Sequence, residues 1–385
     1  MTRTAIINAL VVLPDGMVPG GVLLDGDSIA ALLPESQRPP DDAQIVDAGR
    51  RYLAPGFIDV HVHGGGGFRL MSDDPGQVPA YARWVARYGV TSFLVSTAGP
   101  DHASIVRRLR TVAPAIAPVE GGARPLGFHL EGPYINPART GAFPPAWLRD
   151  PDVREYRELH DAAGGAIRQM TLAPELPGAD ALIDAVIASG AVAAIGHTDA
   201  TYDEAMRAID RGVTHATHVF NAMRPFSHRD PGVIAAVMTS DAVTAELIGD
   251  GAHVGFPAAE LLVRAKGAGN VVLITDGMPL AGTPDGEGEW EGQRIRVEAG
   301  KAVRLADGTI VGGVITLDQA VRNAVQHLGV PLHDAVAMAS ANPARAIGLA
   351  GRYGAIAPGG AADLVLLDDR LRVTEVWVAG SPLAP

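Results

Sequence analysis

Two histidines one residue apart, His61 and His63, close the stretch FIDVHVH and run into four glycines, Gly64 to Gly67. On an extended strand, side chains two apart share a face, which is what chelation of a metal ion by two imidazoles requires. Glycines after a strand also suit a phosphate cradle or a plain turn. A phosphate loop opens a helix at a fixed glycine spacing that HGGGG lacks, so the turn is preferred to the cradle. Glu131, His197, His218 and Asp276 each close another apolar run and are followed at once by glycine or a polar turn (LEG, GHTD, THVF, TDG). Singly, each has an ordinary reading as a solvated carboxylate, a hydrogen-bonded histidine or a turn cap. Together, on five strand ends, they read as one site. The chain has no cysteine, so a metal there is held by nitrogen and oxygen alone, a donor set that suits Zn or Fe.

The other histidines serve as controls. His129, two residues before Glu131 on the same face, is placed to support it. His215, three before His218, faces away on a strand and is read as structural. His102, His160, His327 and His333 lie in or beside helical patterns and are read as surface residues.

The elements that would position these groups alternate. Strand-like runs occur at 57–63, 91–97, 125–131, 168–173, 192–197, 214–220, 243–249 and 271–276, with Ala-rich helical patterns at 77–89, 101–113, 178–189, 202–211 and 256–267. Eight such strands suit a (β/α)8 barrel, whose strand ends converge on one mouth. An open doubly wound sheet gives the same local pattern. Residues 279–312 break the rhythm as an elaborated loop after the eighth strand, and helices resume at 317–328 and 332–348. Short β pieces in 1–53 and 357–385 suggest one small sheet domain built from both termini around a catalytic unit at 54–356.

Of 385 residues, 47% are hydrophobic, enough for a sizeable core. The formal net charge of −12 argues against nucleic-acid binding. No apolar run reaches the roughly 20 residues of a membrane span, and no secretory pattern follows the first residues. A cytoplasmic protein that binds neither membrane nor nucleic acid is expected.

The segments PGFIDVHVHG, HLEGPY, GHTDATYDEA, THVFNAM, DGAHV and ITDG, with the ending NPARAIGL…GAADLVLLD, resemble the N-acetylglucosamine-6-phosphate deacetylases of the amidohydrolase superfamily over the whole chain. The resemblance implies an α/β fold: a TIM-like metal-dependent hydrolase barrel with a small β-sandwich. It implies that Glu131, His197 and His218 hold a principal divalent ion. His61 and His63 would hold a second, with Glu131 between them. Asp276 would be the general base and later acid, releasing acetate from an amino-sugar phosphate. Ala142, Asn221, Ala222, Arg229 and His253 would contact the substrate, with the backbone at Ile310, Val311 and Gly312 closing the pocket. Arg229 and His253 would serve the neighbouring subunit of a homodimer.

One departure bears on the substrate. Family members carry a histidine in the pattern G-[AT]-H-x-P, where this chain reads GAFPP with Phe143. Phenylalanine cannot polarise a carbonyl, which keeps other N-acetylated sugar phosphates, N-acyl amino acids and cyclic amides in view. Arg229 favours a phosphorylated substrate. A non-catalytic sugar-phosphate binder would have lost Asp276 or a ligand, and neither is lost.

Overall fold

A computed structural model describes residues 3–383. Eight parallel strands run in sequence order: Phe57–Asp59, Val90–Thr97, Arg124–Glu131, Ile167–Leu172, Val192–Ile195, His215–Ala216, Thr244–Ile248 and Val271–Ile274. They are buried throughout except for Arg124, Arg168 and Val192 at partial exposure, as a sheet covered on both faces must be. The ladder leaves the last strand facing the first, and two backbone bonds join them just beyond the strand ends. Asp276 N donates to His61 O (2.9 Å) and His63 N donates to Gly277 O (2.7 Å). Asp59 braces the same seam, accepting from the Thr275 hydroxyl at 2.6 Å. The closure therefore passes through the candidate site. The barrel expectation holds, and the open sheet does not.

A helix follows each strand: Gln77–Val85, His102–Val112, Val153–Ala162, Ala179–Ala188, Tyr202–Asp210, Gly232–Thr239, Phe256–Lys266 and Leu317–Leu328. Two of these were not marked in the sequence. Val153–Ala162 (VREYRELHDA) is too charged to show an apolar stripe at a glance. Gly232–Thr239 (GVIAAVMT) is apolar on nearly all sides because it is largely buried. The expected helix 332–348 is two, Leu332–Met338 and Ala341–Ala346; Pro343 sits in the first turn of the second, where a missing N–H is tolerated.

Several strands are shorter than expected. The sixth covers His215–Ala216 instead of 214–220, since the chain turns into left-handed backbone at His218 (φ 28°). The first ends at Asp59, so His61 and His63 stand past it and are aligned by the seam bonds to the eighth strand.

Residues 3–55 and 364–382 share one mixed sheet, in which Tyr52–Pro55 pairs with Leu364–Leu367. It has its own core around Ile6, Val22, Leu24, Ile29, Leu364 and Trp377. The loop after the eighth strand carries a three-stranded antiparallel sheet, Gly286–Trp290, Gln293–Glu298 and Lys301–Arg304.

Candidate active site

The six singled-out side chains meet at the barrel mouth as two groups, His61 with His63 and Asp276, and Glu131 with His197 and His218. Glu131 stands between them. Its Oε1 is 3.1 Å from both His197 Nε2 and His218 Nε2, and its Oε2 is 3.0 Å from His63 Nε2. Asp276 Oδ1 lies 3.4 Å from the Nε2 atoms of His61 and His63. Three of these residues hold left-handed backbone, His197 (φ 48°), His218 (φ 28°) and Asp276 (φ 47°), as does neighbouring Ala222 (φ 48°). For residues with a Cβ this conformation costs about 1–3 kcal/mol each. It turns the chain sharply at the strand ends and so aims the side chains inward.

A cavity of about 220 Å³ opens above them. His63, Glu131, His197, His218 and Asp276 form its polar floor, and Ala142, Phe143, Met278, Trp290 and Ile310 give it apolar walls. Asn221, Ala222, His253 and Gly312 also line it. Val311 does not; it is buried in the apolar cluster behind the wall with Phe143 and Trp290. Arg229 lies on an exposed turn outside this lining. His253, expected at a neighbouring subunit's site, lines this chain's own cavity. It follows the seventh strand, whose end faces the mouth, and Asp250 Oδ2 anchors its Nδ1 at 2.7 Å.

The sequence model of the amidohydrolase family matches residues 52–383. An N-acetylglucosamine-6-phosphate deacetylase of Lysinibacillus sphaericus is 36% identical over 87% of this chain and 86% of its own length. An N-acetylgalactosamine-6-phosphate deacetylase of Escherichia coli O157:H7 is also 36% identical, over 89% of this chain and 90% of its own. The solved structure of a point mutant of the Mycobacterium smegmatis N-acetylglucosamine-6-phosphate deacetylase, in complex with N-acetylglucosamine-6-phosphate, superposes over 100% of both chains with a TM-score of 0.92 at 34% identity. The chain belongs to the N-acetylglucosamine-6-phosphate deacetylases of the amidohydrolase family.

Amidohydrolases depend on a metal, and the residues of this member fit one. His197 Nδ1 donates to the Arg139 carbonyl (2.9 Å), which in the neutral ring leaves Nε2 as a lone pair facing Glu131 Oε1. His61 Nδ1 donates to Glu246 Oε2 (3.0 Å), and its Nε2 is buried with no hydrogen-bond partner. Acceptors that face one another in a buried site need a positive charge between them. Among the protein groups alone, protons supply it. Burial pushes His61 and His63 down, but Glu131 and Asp276 outweigh it, holding His61 well above its ordinary value and His63 at about 9. Asp276 is pushed up by burial, yet His61 and His63 hold it below the usual carboxylate range.

The sequence reading missed Glu246, which is fully buried. It sits inside the seventh strand, in an apolar run that shows nothing of its neighbours. His129 forms no hydrogen bond with Glu131. Its nitrogens meet Ser96 Oγ (2.9 Å) and Thr171 Oγ1 (2.8 Å), and its ring packs edge-on against His61 at 4.5 Å. Burial holds its pKa well below the ordinary value. His215 is structural as expected, bonded to Glu246 and Thr244. The four histidines read as surface residues are exposed or half-buried and stand outside the cavity lining.

Proposed function

We propose that the protein hydrolyses the acetamide of N-acetylglucosamine 6-phosphate, giving acetate and glucosamine 6-phosphate. The observation that carries this is Asp276, an ionised carboxylate on the cavity floor within 3.4 Å of both HxH rings. The L. sphaericus and M. smegmatis relatives, named for this substrate, support it.

Glu131, His197 and His218 would hold the principal divalent ion, Zn or Fe, and His61 and His63 would hold a second, with Glu131 Oε1 facing His197 and His218 and its Oε2 facing His63. When bound, such an ion supplies Lewis acidity, polarising the amide carbonyl and lowering the pKa of water toward about 7. Asp276 takes the proton of the attacking water and returns it to the departing nitrogen, which must leave as an amine. His253 binds the phosphate. Burial pushes its pKa down and Asp250 outweighs it, so the ring is biased toward the cation that pairs with an oxyanion. Asn221 and Ala222, with Ala142, Ile310 and Gly312, shape the sugar subsite. Val311 backs that wall, and Arg229 reaches the phosphate of a neighbouring copy in a homodimer. The compartment is the cytoplasm.

A second reading, the galactosamine epimer as substrate, is favoured by the equal identity to the E. coli enzyme named for it and by Phe143 on the wall where a histidine was expected. Chelation followed by reloading tests the metal claim. Acetate release should fall to background on chelation and return with Zn or Fe(II); release that survives chelation contradicts it.

A further inference from the structure

Beneath both ligand groups, Glu246 accepts four hydrogen bonds. Its Oε1 receives Gln169 Nε2 and His215 Nε2, each at 2.9 Å; its Oε2 receives His61 Nδ1 and the backbone N–H of His218, each at 3.0 Å. We infer that Glu246 is a positioning residue that fixes His61 for a second metal ion and thereby sets whether that second position fills.

The two histidines of the pair differ in one respect. His63 Nδ1 is buried without a partner, whereas His61 Nδ1 is tied to a carboxylate. A ring anchored at Nδ1 has one tautomer and one orientation, and its free nitrogen is a better donor. The Nε2 of His61 is thereby aimed at the space it shares with Glu131 Oε1 and Asp276 Oδ1, both at 3.4 Å. The same Oε2 holds the His218 backbone, where the chain runs left-handed. One atom thus ties together a residue from each group. The Oε1 side serves only the barrel interior, which supplies an internal control.

The inference rests on the two-ion reading above. Its test is metal stoichiometry and affinity, measured by elemental analysis and by Zn titration of chelated protein. Wild type should take two ions. Glu246→Gln should keep the first and lose about 10–100-fold in affinity for the second, while His215→Gln, which disturbs Oε1 alone, should keep both. If Glu246→Gln fails to fold, Glu246→Asp draws the carboxylate away from His61 and should show the same loss. A wild type that takes one ion, a Glu246 variant with unchanged second-ion affinity, or an equal loss in His215→Gln would overturn the inference. Acetate release measured in parallel separates the two claims. Release by a one-ion wild type sinks this inference and the two-ion reading but leaves the proposed reaction standing, and two ions without release sinks the proposed substrate alone.

Discussion

At the scale of single residues, the site sets two carboxylates, Glu131 and Asp276, against four imidazoles. Glu131 is enclosed by four histidines, while the Asp276 carboxylate stands 3.4 Å from both rings of the HxH pair and lines the cavity. Asp276→Asn keeps the shape and removes the proton acceptor. We expect kcat to fall by about 10²–10⁴, or about 3–5 kcal/mol, while elemental analysis still finds the ion held by Glu131, His197 and His218. Activity within a few-fold of wild type would remove Asp276 from the role of base. The six chemical groups were legible in the sequence because a charge or imidazole closing an apolar run must be satisfied at the strand end. Glu246 was not legible, since a mid-strand glutamate declares its partners only when the barrel closes and brings His61 beside it.

At the scale of elements, HVHGGGG is a turn clamped between a helix and the barrel seam. A Cβ on Gly65 would lie 2.4 Å from the Trp84 ring, and one on Gly66, at φ +60°, would also lie 2.4 Å from it. Bare backbone lets the turn sit flat on Trp84, while His63 N and Asp276 N close the seam. Gly66→Ala should therefore destabilise the fold by about 1–3 kcal/mol through overpacking, beyond its left-handed strain. Gly67→Ala at φ +90°, with no atom within 4 Å of its Cβ, should carry the strain alone. Urea unfolding of the two variants checks the order; equal losses would show that Trp84 yields freely. Strand ends were harder to place than strands. The sixth strand stops where left-handed backbone at His218 and Phe220 turns the chain, and that backbone choice has no signature in THVFNAM.

At the scale of the whole molecule, a barrel mouth faces one cavity, and the loop after the eighth strand contributes Trp290, Thr309, Ile310 and Gly312 to its wall. The alternation of strands and helices made this architecture readable, whereas the burial of Gly232–Thr239 on nearly all sides hid a helix from periodicity. Arg229 belongs to this scale, since its exposed turn lies outside the chain's own cavity lining. If a partner copy brings it to the phosphate, Arg229→Ala should raise KM at least tenfold for the phosphorylated sugar and leave the unphosphorylated one unchanged, and sedimentation should show a dimer. Equal effects on both substrates would deny Arg229 the phosphate.

The reaction is tested by kcat/KM for acetate release by the Zn- or Fe(II)-loaded protein from N-acetylglucosamine 6-phosphate, its galactosamine epimer, unphosphorylated N-acetylglucosamine and an N-acetyl amino acid. The highest value is expected for N-acetylglucosamine 6-phosphate, with the unphosphorylated sugar at least 100-fold lower, a difference of about 3 kcal/mol. An N-acetyl amino acid turned over faster than either sugar phosphate would contradict it.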